Sequence, residues 1–115
     1  MTKLAVISMN FSRARRQADE LERIAHELQN LAQSELPDSL SQLSGGWTGE
    51  SANLFIQKGN NLAENIIKTA RQLLNAANAL RKSAAAIYES ERKAELIAIQ
   101  RRENGAGGGG SSGGR

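Results

Sequence analysis

The sequence predicts an all-α protein: an antiparallel hairpin of two long helices that assembles into a dimeric four-helix bundle. Three observations predict it. Alanine, leucine, glutamine, arginine and glutamate dominate, with one proline and four glycines before residue 104, which is helix-forming material with few breakers. Apolar residues recur in steps of three and four along most of the chain, the period of a helix face. Two such stretches meet near the midpoint at "LSGGWTGESANLF", residues 43 to 55, where small turn formers surround the only tryptophan.

The first helix is read from Phe11. Its apolar positions are Phe11, Ala14, Ala18, Leu21, Ala25, Leu28 and Ala32, a heptad seam. Asn10 or Ser8 can cap its start. Pro37 has no N–H to donate and biases Leu36 away from helical geometry, so a kink or break is expected there. Helical spacing resumes through Leu36, Leu40 and Leu43, and Gly45 and Gly46 end the element.

The second helix starts inside the quoted stretch. Thr48 is placed to cap it, and Glu50 in its first turn suits the helix dipole. One stripe runs Ala52, Phe55, Gly59, Leu62, Ile66, Thr69, Leu73, Ala76, Leu80, Ser83 and Ile87. A second runs beside it through Ala63, Ile67, Ala70, Leu74, Ala77, Arg81, Ala84 and Tyr88. One neighbouring helix needs one stripe. The first is therefore expected to face the other arm. The second, with Ala63, Ile67, Ala70, Leu74, Ala77 and Ala84, is expected to face a second chain in a four-helix bundle.

The arms are unequal. Folding about the turn sets Asn10 opposite roughly residue 83, so residues 84 to 103 overhang by about 30 Å at the helical rise. The overhang is met by the turn of an antiparallel partner, by the N-terminal "LAVISM" folding back over part of it, or by both. The domain is expected to end at residue 103. Residues 104–115, mostly glycine and serine, read as a flexible tail.

Composition narrows the function. Cysteine is absent and His26 is the only histidine, which removes thiol chemistry and leaves no set of metal ligands or hydrolase triad. The tail lacks the Lys-Ser/Thr of a phosphate loop. The reading is a non-enzyme without cofactors. The net charge of +3 is weak. The basic residues of the second helix alternate with glutamates and have no aromatic stacking partners, so they read as a solvated face and not as a nucleic-acid surface. No apolar run approaches a membrane span, and the alternating charges oppose stable insertion. The N-terminus has no apolar leader with a cleavage site.

At "GWTGESANLF" these features resemble the WXG family of early secreted antigenic target-like proteins. They share a short leaderless chain, two long helices, and a Trp-x-Gly turn near the middle, here Trp47 and Gly49. The resemblance covers residues 10 to about 100. It implies secretion without a cleaved leader, from the cytoplasm, as a folded homodimer or heterodimer with a paralogous hairpin, through a type VII system driven by a membrane-embedded ATPase. It also implies a composite export signal, in which the Trp-x-Gly turn of one subunit lies beside a C-terminal Tyr-x-x-x-Asp/Glu motif of the other. Tyr88 matches the tyrosine. Arg92 stands where the acid is expected, with Glu91 and Glu95 on the same helix face as Tyr88, so either is a candidate carboxylate. An alternative role is a targeting partner that delivers the helical N-terminal segment of a larger toxin. A more distant one is a cytosolic coiled-coil protein that binds nucleic acid.

Overall fold

The computed structural model describes the backbone of residues 1–112 and the side chains of residues 1–105. It is all-helical and hairpin-like. The elements are α1 (Lys3–Asn30), a π-helical turn (Leu31–Glu35), α2 (Leu36–Gly46) and α3 (Glu50–Ser112). Contacts gather into two compact units. A turn unit spans Arg16–Ala79, and a terminal unit joins Met1–Arg15 to the segment from Leu80 onward. The boundary expected at residue 103 falls inside α3. The flexible tail expected over residues 104–115 lies for the most part outside the residues whose side chains are described.

The core of the turn unit is made of alanine. Ala18, Ala25 and Ala32 on the first arm, and Ala63, Ala70 and Ala77 on α3, are all buried. Each line repeats every seven residues, which returns to the same side of a helix in a coiled-coil pair. A helix cannot cover its own alanine methyls to this degree, so the opposing arm does. Methyl-sized contacts let two backbones approach closely. Larger side chains then sit beside the contact line. Leu21, Leu28, Ile66, Ile67, Leu73 and Leu74 are all half-buried. Among the described residues no large side chain is fully buried.

This arrangement corrects the assignment of the two stripes. Ala63, Ala70, Ala77 and Ala84, expected at a dimer interface, are buried within the chain itself. The smallest residues take the position of closest approach and have no surface left for a second chain. Ile67 and Leu74 of the same stripe are half-buried. The stripe expected to face inward carries much of the exposed apolar surface instead: Phe55, Leu62 and Ile87 are 51%, 53% and 57% exposed. Of that first stripe only Ala52, near the turn, is fully buried, while Gly59, Ile66, Leu73 and Leu80 are half-buried.

The expected disturbance at Pro37 takes a definite form. The Leu36 N–H donates to the Leu31 carbonyl, five residues back, in a π-turn immediately before the proline. Pro37 lies in the first turn of α2, where its missing donor is tolerated. The wide turn adds one residue to the repeat. The buried line steps by seven from Ala25 to Ala32 and then by eight to Leu40, a slip that a π-bulge produces. On α3 the inward line likewise changes register, stepping from Gly59 to Ala63 before settling into sevens.

In the terminal unit, α1 begins at Lys3, earlier than the expected start near Phe11. Neither Ser8 nor Asn10 is the cap. The Thr2 hydroxyl accepts from the Ala5 N–H at 3.1 Å, and the Val6 N–H reaches the Thr2 carbonyl at 3.1 Å, which is N-cap geometry. "LAVISM" therefore forms the first turns of the helix and is not a separate fold-back. It covers the expected overhang directly: Met1, Val6, Ile7 and Asn10 face Glu91, Ala94, Glu95 and Ala98 across a groove of about 490 Å³. β-Branched Val6 and Ile7 accept the helix because tertiary contact along this face outweighs their modest propensity cost.

The outer face of α1 is solvated. Arg23 donates to Glu20 at 2.6 Å and also pairs with Glu27. The hydrogen bond from Arg23 holds the Glu20 carboxyl below its ordinary range. His26 lies exposed beside Glu22 and Gln29. Among the described residues no helix is long and apolar enough to cross a membrane.

Candidate functional site: the tryptophan turn and the tyrosine helix face

Two clusters hold the residues that the sequence singles out, one in each unit. The first is the turn. α2 ends at Gly46, and Trp47 is its C-cap, extended at φ −132° and ψ 119°, with its N–H on the Leu43 carbonyl at 3.0 Å. Gly45 and Gly46 end the element as expected, without positive φ. The left-handed residue of the turn is Gly49, at φ +112°. The Asn53 N–H then bonds the Gly49 carbonyl at 3.0 Å, which makes Gly49 the N-cap position of α3. Thr48, expected in that role, lies one residue earlier. The Trp-x-Gly spacing therefore has a local cause: the chain leaves one helix extended at Trp47 and enters the next through a conformation that glycine alone adopts without strain.

The turn holds the indole outward. Trp47 is 40% exposed, so it is not a plug sealed inside the hairpin. Its ring is tilted by 53° against Phe55 with centroids 5.7 Å apart, within the range of favourable aromatic pairs. Trp47, Leu54 and Phe55 form the apolar part of an open groove of about 420 Å³, with Glu50, Ser51 and Lys58 around it. Leu54 and Phe55 are themselves 49% and 51% exposed. An apolar surface with a mixed-charge edge suits a protein segment better than a small polar ligand.

The second cluster lies on α3 in the terminal unit. Tyr88 is half-buried and stacks on Phe11 of α1, with centroids 4.5 Å apart and planes 26° from parallel. The Arg15 guanidinium carbon is 5.7 Å from the Phe11 ring centre, a cation–π distance. The two candidate carboxylates differ. Glu91 is exposed and borders the same groove as Tyr88. Glu95 is 9% exposed, and the Arg102 guanidinium donates to it at 3.2 Å. An incoming group meets an open carboxylate at Glu91 and an already neutralised one at Glu95.

Sequence reasoning missed Phe11 as the partner of Tyr88, because a heptad seam predicts contact along a stripe and not which residues meet across arms. Among the described residues no group of three or more His, Cys, Asp or Glu is placed to hold a metal. Searches of protein-family models, characterised proteins and solved structures find nothing that matches this chain.

Proposed function

We propose that this chain is a non-enzymatic helical-hairpin protein that pairs with a second hairpin and is exported by, or serves as a partner in, a type VII secretion system. The observation that carries the reading is the half-exposed indole of Trp47, held outward on a turn whose Gly49 has a positive φ. The exposed indole beside exposed Leu54 and Phe55 makes a contiguous apolar patch of the kind a protein partner covers.

Pairing is supported by the thinness of the core. Alanine methyls bury little area, and the larger side chains stay half-exposed. A two-helix hairpin of this kind gains most of its missing burial from another hairpin. The flank with Phe55, Leu62, Ile66, Leu73, Leu80 and Ile87 is the more continuous apolar one. The opposite flank is interrupted by Arg81 and Glu95. We assign the partner to the first flank, as a homodimer or with a paralogous hairpin. Export then proceeds from the cytoplasm, driven by the system's ATPase, with Trp47, Gly49, Tyr88 and Glu91 as recognised groups.

A second reading within the same system is a targeting partner for a larger toxin. Arg92 in place of the expected acid, and Glu95 held by Arg102, favour it, since a chain with a weakened motif travels on its partner's signal. Expression beside a type VII system, with culture medium assayed for the wild type and for Trp47→Ala, tests the proposal. Trp47→Ala is expected to stay folded, losing about 2 kcal/mol from partial burial and one aromatic pair, and to abolish export of the chain or of the toxin it accompanies. Unchanged export of the folded variant sinks the recognition role. Salt-sensitive retention on DNA with no export would favour the nucleic-acid alternative.

A further inference from the structure

We propose that Phe11 is a positioning residue for Tyr88, so that the tyrosine motif is presented jointly by both arms of the folded hairpin. The inference rests on the export reading of Tyr88 and adds a residue that the motif does not contain.

The tyrosine ring lies flat against one partner. Phe11 and Tyr88 are 77 residues apart in sequence, yet their centroids are 4.5 Å apart with planes only 26° from parallel. The other two aromatic side chains, Trp47 and Phe55, pair with each other in the turn unit. Packing alone does not require the pairing of Phe11 with Tyr88. Leucine or isoleucine fills the half-buried flanks elsewhere along the arms and would fill this space too. Offset stacking adds a restriction on the plane of the ring that aliphatic packing does not supply. The guanidinium of Arg15 near Phe11 further restrains that ring from the same arm.

The consequence concerns recognition. A phenol reads as a signal through its edge and its hydroxyl. A ring confined to one plane beside exposed Glu91 is preorganised for a reader, and preorganisation lowers the cost of binding. Because Phe11 comes from α1, α3 alone does not supply this restraint. The signal is complete only when the two arms are paired, which ties export to the folded hairpin.

The test uses the full chain, co-expressed with its partner hairpin in the secreting cell. Phe11→Leu keeps an apolar side chain and removes the stack. Phe11→Tyr restores a ring. Export is measured together with the melting midpoint and the resonance of fluorotyrosine incorporated at Tyr88, the single tyrosine of the wild-type chain. The expected result for Phe11→Leu is a shifted fluorine resonance and export about three- to tenfold lower, the factor equivalent to losing one aromatic pair. Phe11→Tyr is expected to return export towards wild type. Wild-type export from a folded Phe11→Leu chain overturns the role of Phe11, provided Tyr88→Ala abolishes export. Wild-type export from Tyr88→Ala removes the tyrosine motif itself, and this proposal with it. Should Phe11→Leu fail to fold, Phe11→Met is judged by the same measurements.

Discussion

Leu40 occupies the space that a side chain at residue 59 would need. A β-carbon built on Gly59 would lie 2.7 Å and 2.8 Å from the two methyls of Leu40 and 3.3 Å from its Cγ. Leu40 is only 6% exposed, so it has little room to withdraw. The π-turn at Leu31–Glu35 brings Leu40 to the inward line, and Gly59 leaves the hole that receives it.

Gly59→Ala is therefore expected to destabilise the hairpin, although alanine is the better helix former. The propensity gain is up to about 1 kcal/mol, and overpacking costs about 1–3 kcal/mol, so a net loss near 1 kcal/mol is expected in urea unfolding. Leu40→Ala should relieve most of it, giving a non-additive double mutant. A Gly59→Ala protein more stable than wild type would show that Leu40 moves freely.

Gly45 and Gly46 should behave oppositely to Gly59, and Gly49 should not. Gly45 and Gly46 lie within α2 and have open space where a β-carbon would stand, so alanine there is expected to stabilise by up to about 1 kcal/mol. Gly49 also has open space but sits at φ +112°, so Gly49→Ala should cost about 1–2 kcal/mol from backbone strain alone. Thermal melts of the three variants decide this. Equal effects at all three would contradict the geometry.

The exchanged stripes give a sharper test. Ala70→Leu forces bulk between the closely packed arms and should cost about 1–3 kcal/mol or more. Leu62→Glu changes a half-exposed flank and should leave monomer helicity largely intact while weakening pairing. Circular dichroism with sedimentation separates these outcomes. A dimer carrying both Leu62→Glu and Phe55→Ser that is as tight as wild type would move the partner to another face.

The surface pair at Glu20 carries a direction in pH. Arg23 lowers the Glu20 carboxyl, so its contribution is present above the unfolded carboxylate range and is lost as pH falls through the lower folded value. The groups are solvent-exposed, so salt should screen the effect. Arg23→Ala should remove this acid-side dependence of the melting midpoint. An unchanged profile would mean other carboxylates carry it.

Periodicity and breakers alone determine much of this protein. They mark two helical arms, a turn at Trp47 and Gly49, and a disturbance before Pro37. These are local matters of backbone geometry, missing donors and the helix repeat. Which stripe faces inward is not local. Both stripes of α3 satisfy the same period, and only the pairing of arms shows that alanine lines win the closest approach. Thr2 is illegible as a cap in the sequence because nothing nearby requires "LAVISM" to be helical until α3 lies beside it. The same holds for the aromatic pair. Phe11 and Tyr88 each read as an ordinary seam residue, and only the tertiary alignment of α1 and α3 brings their rings together, because the register of two long helices is set by the sum of contacts along both.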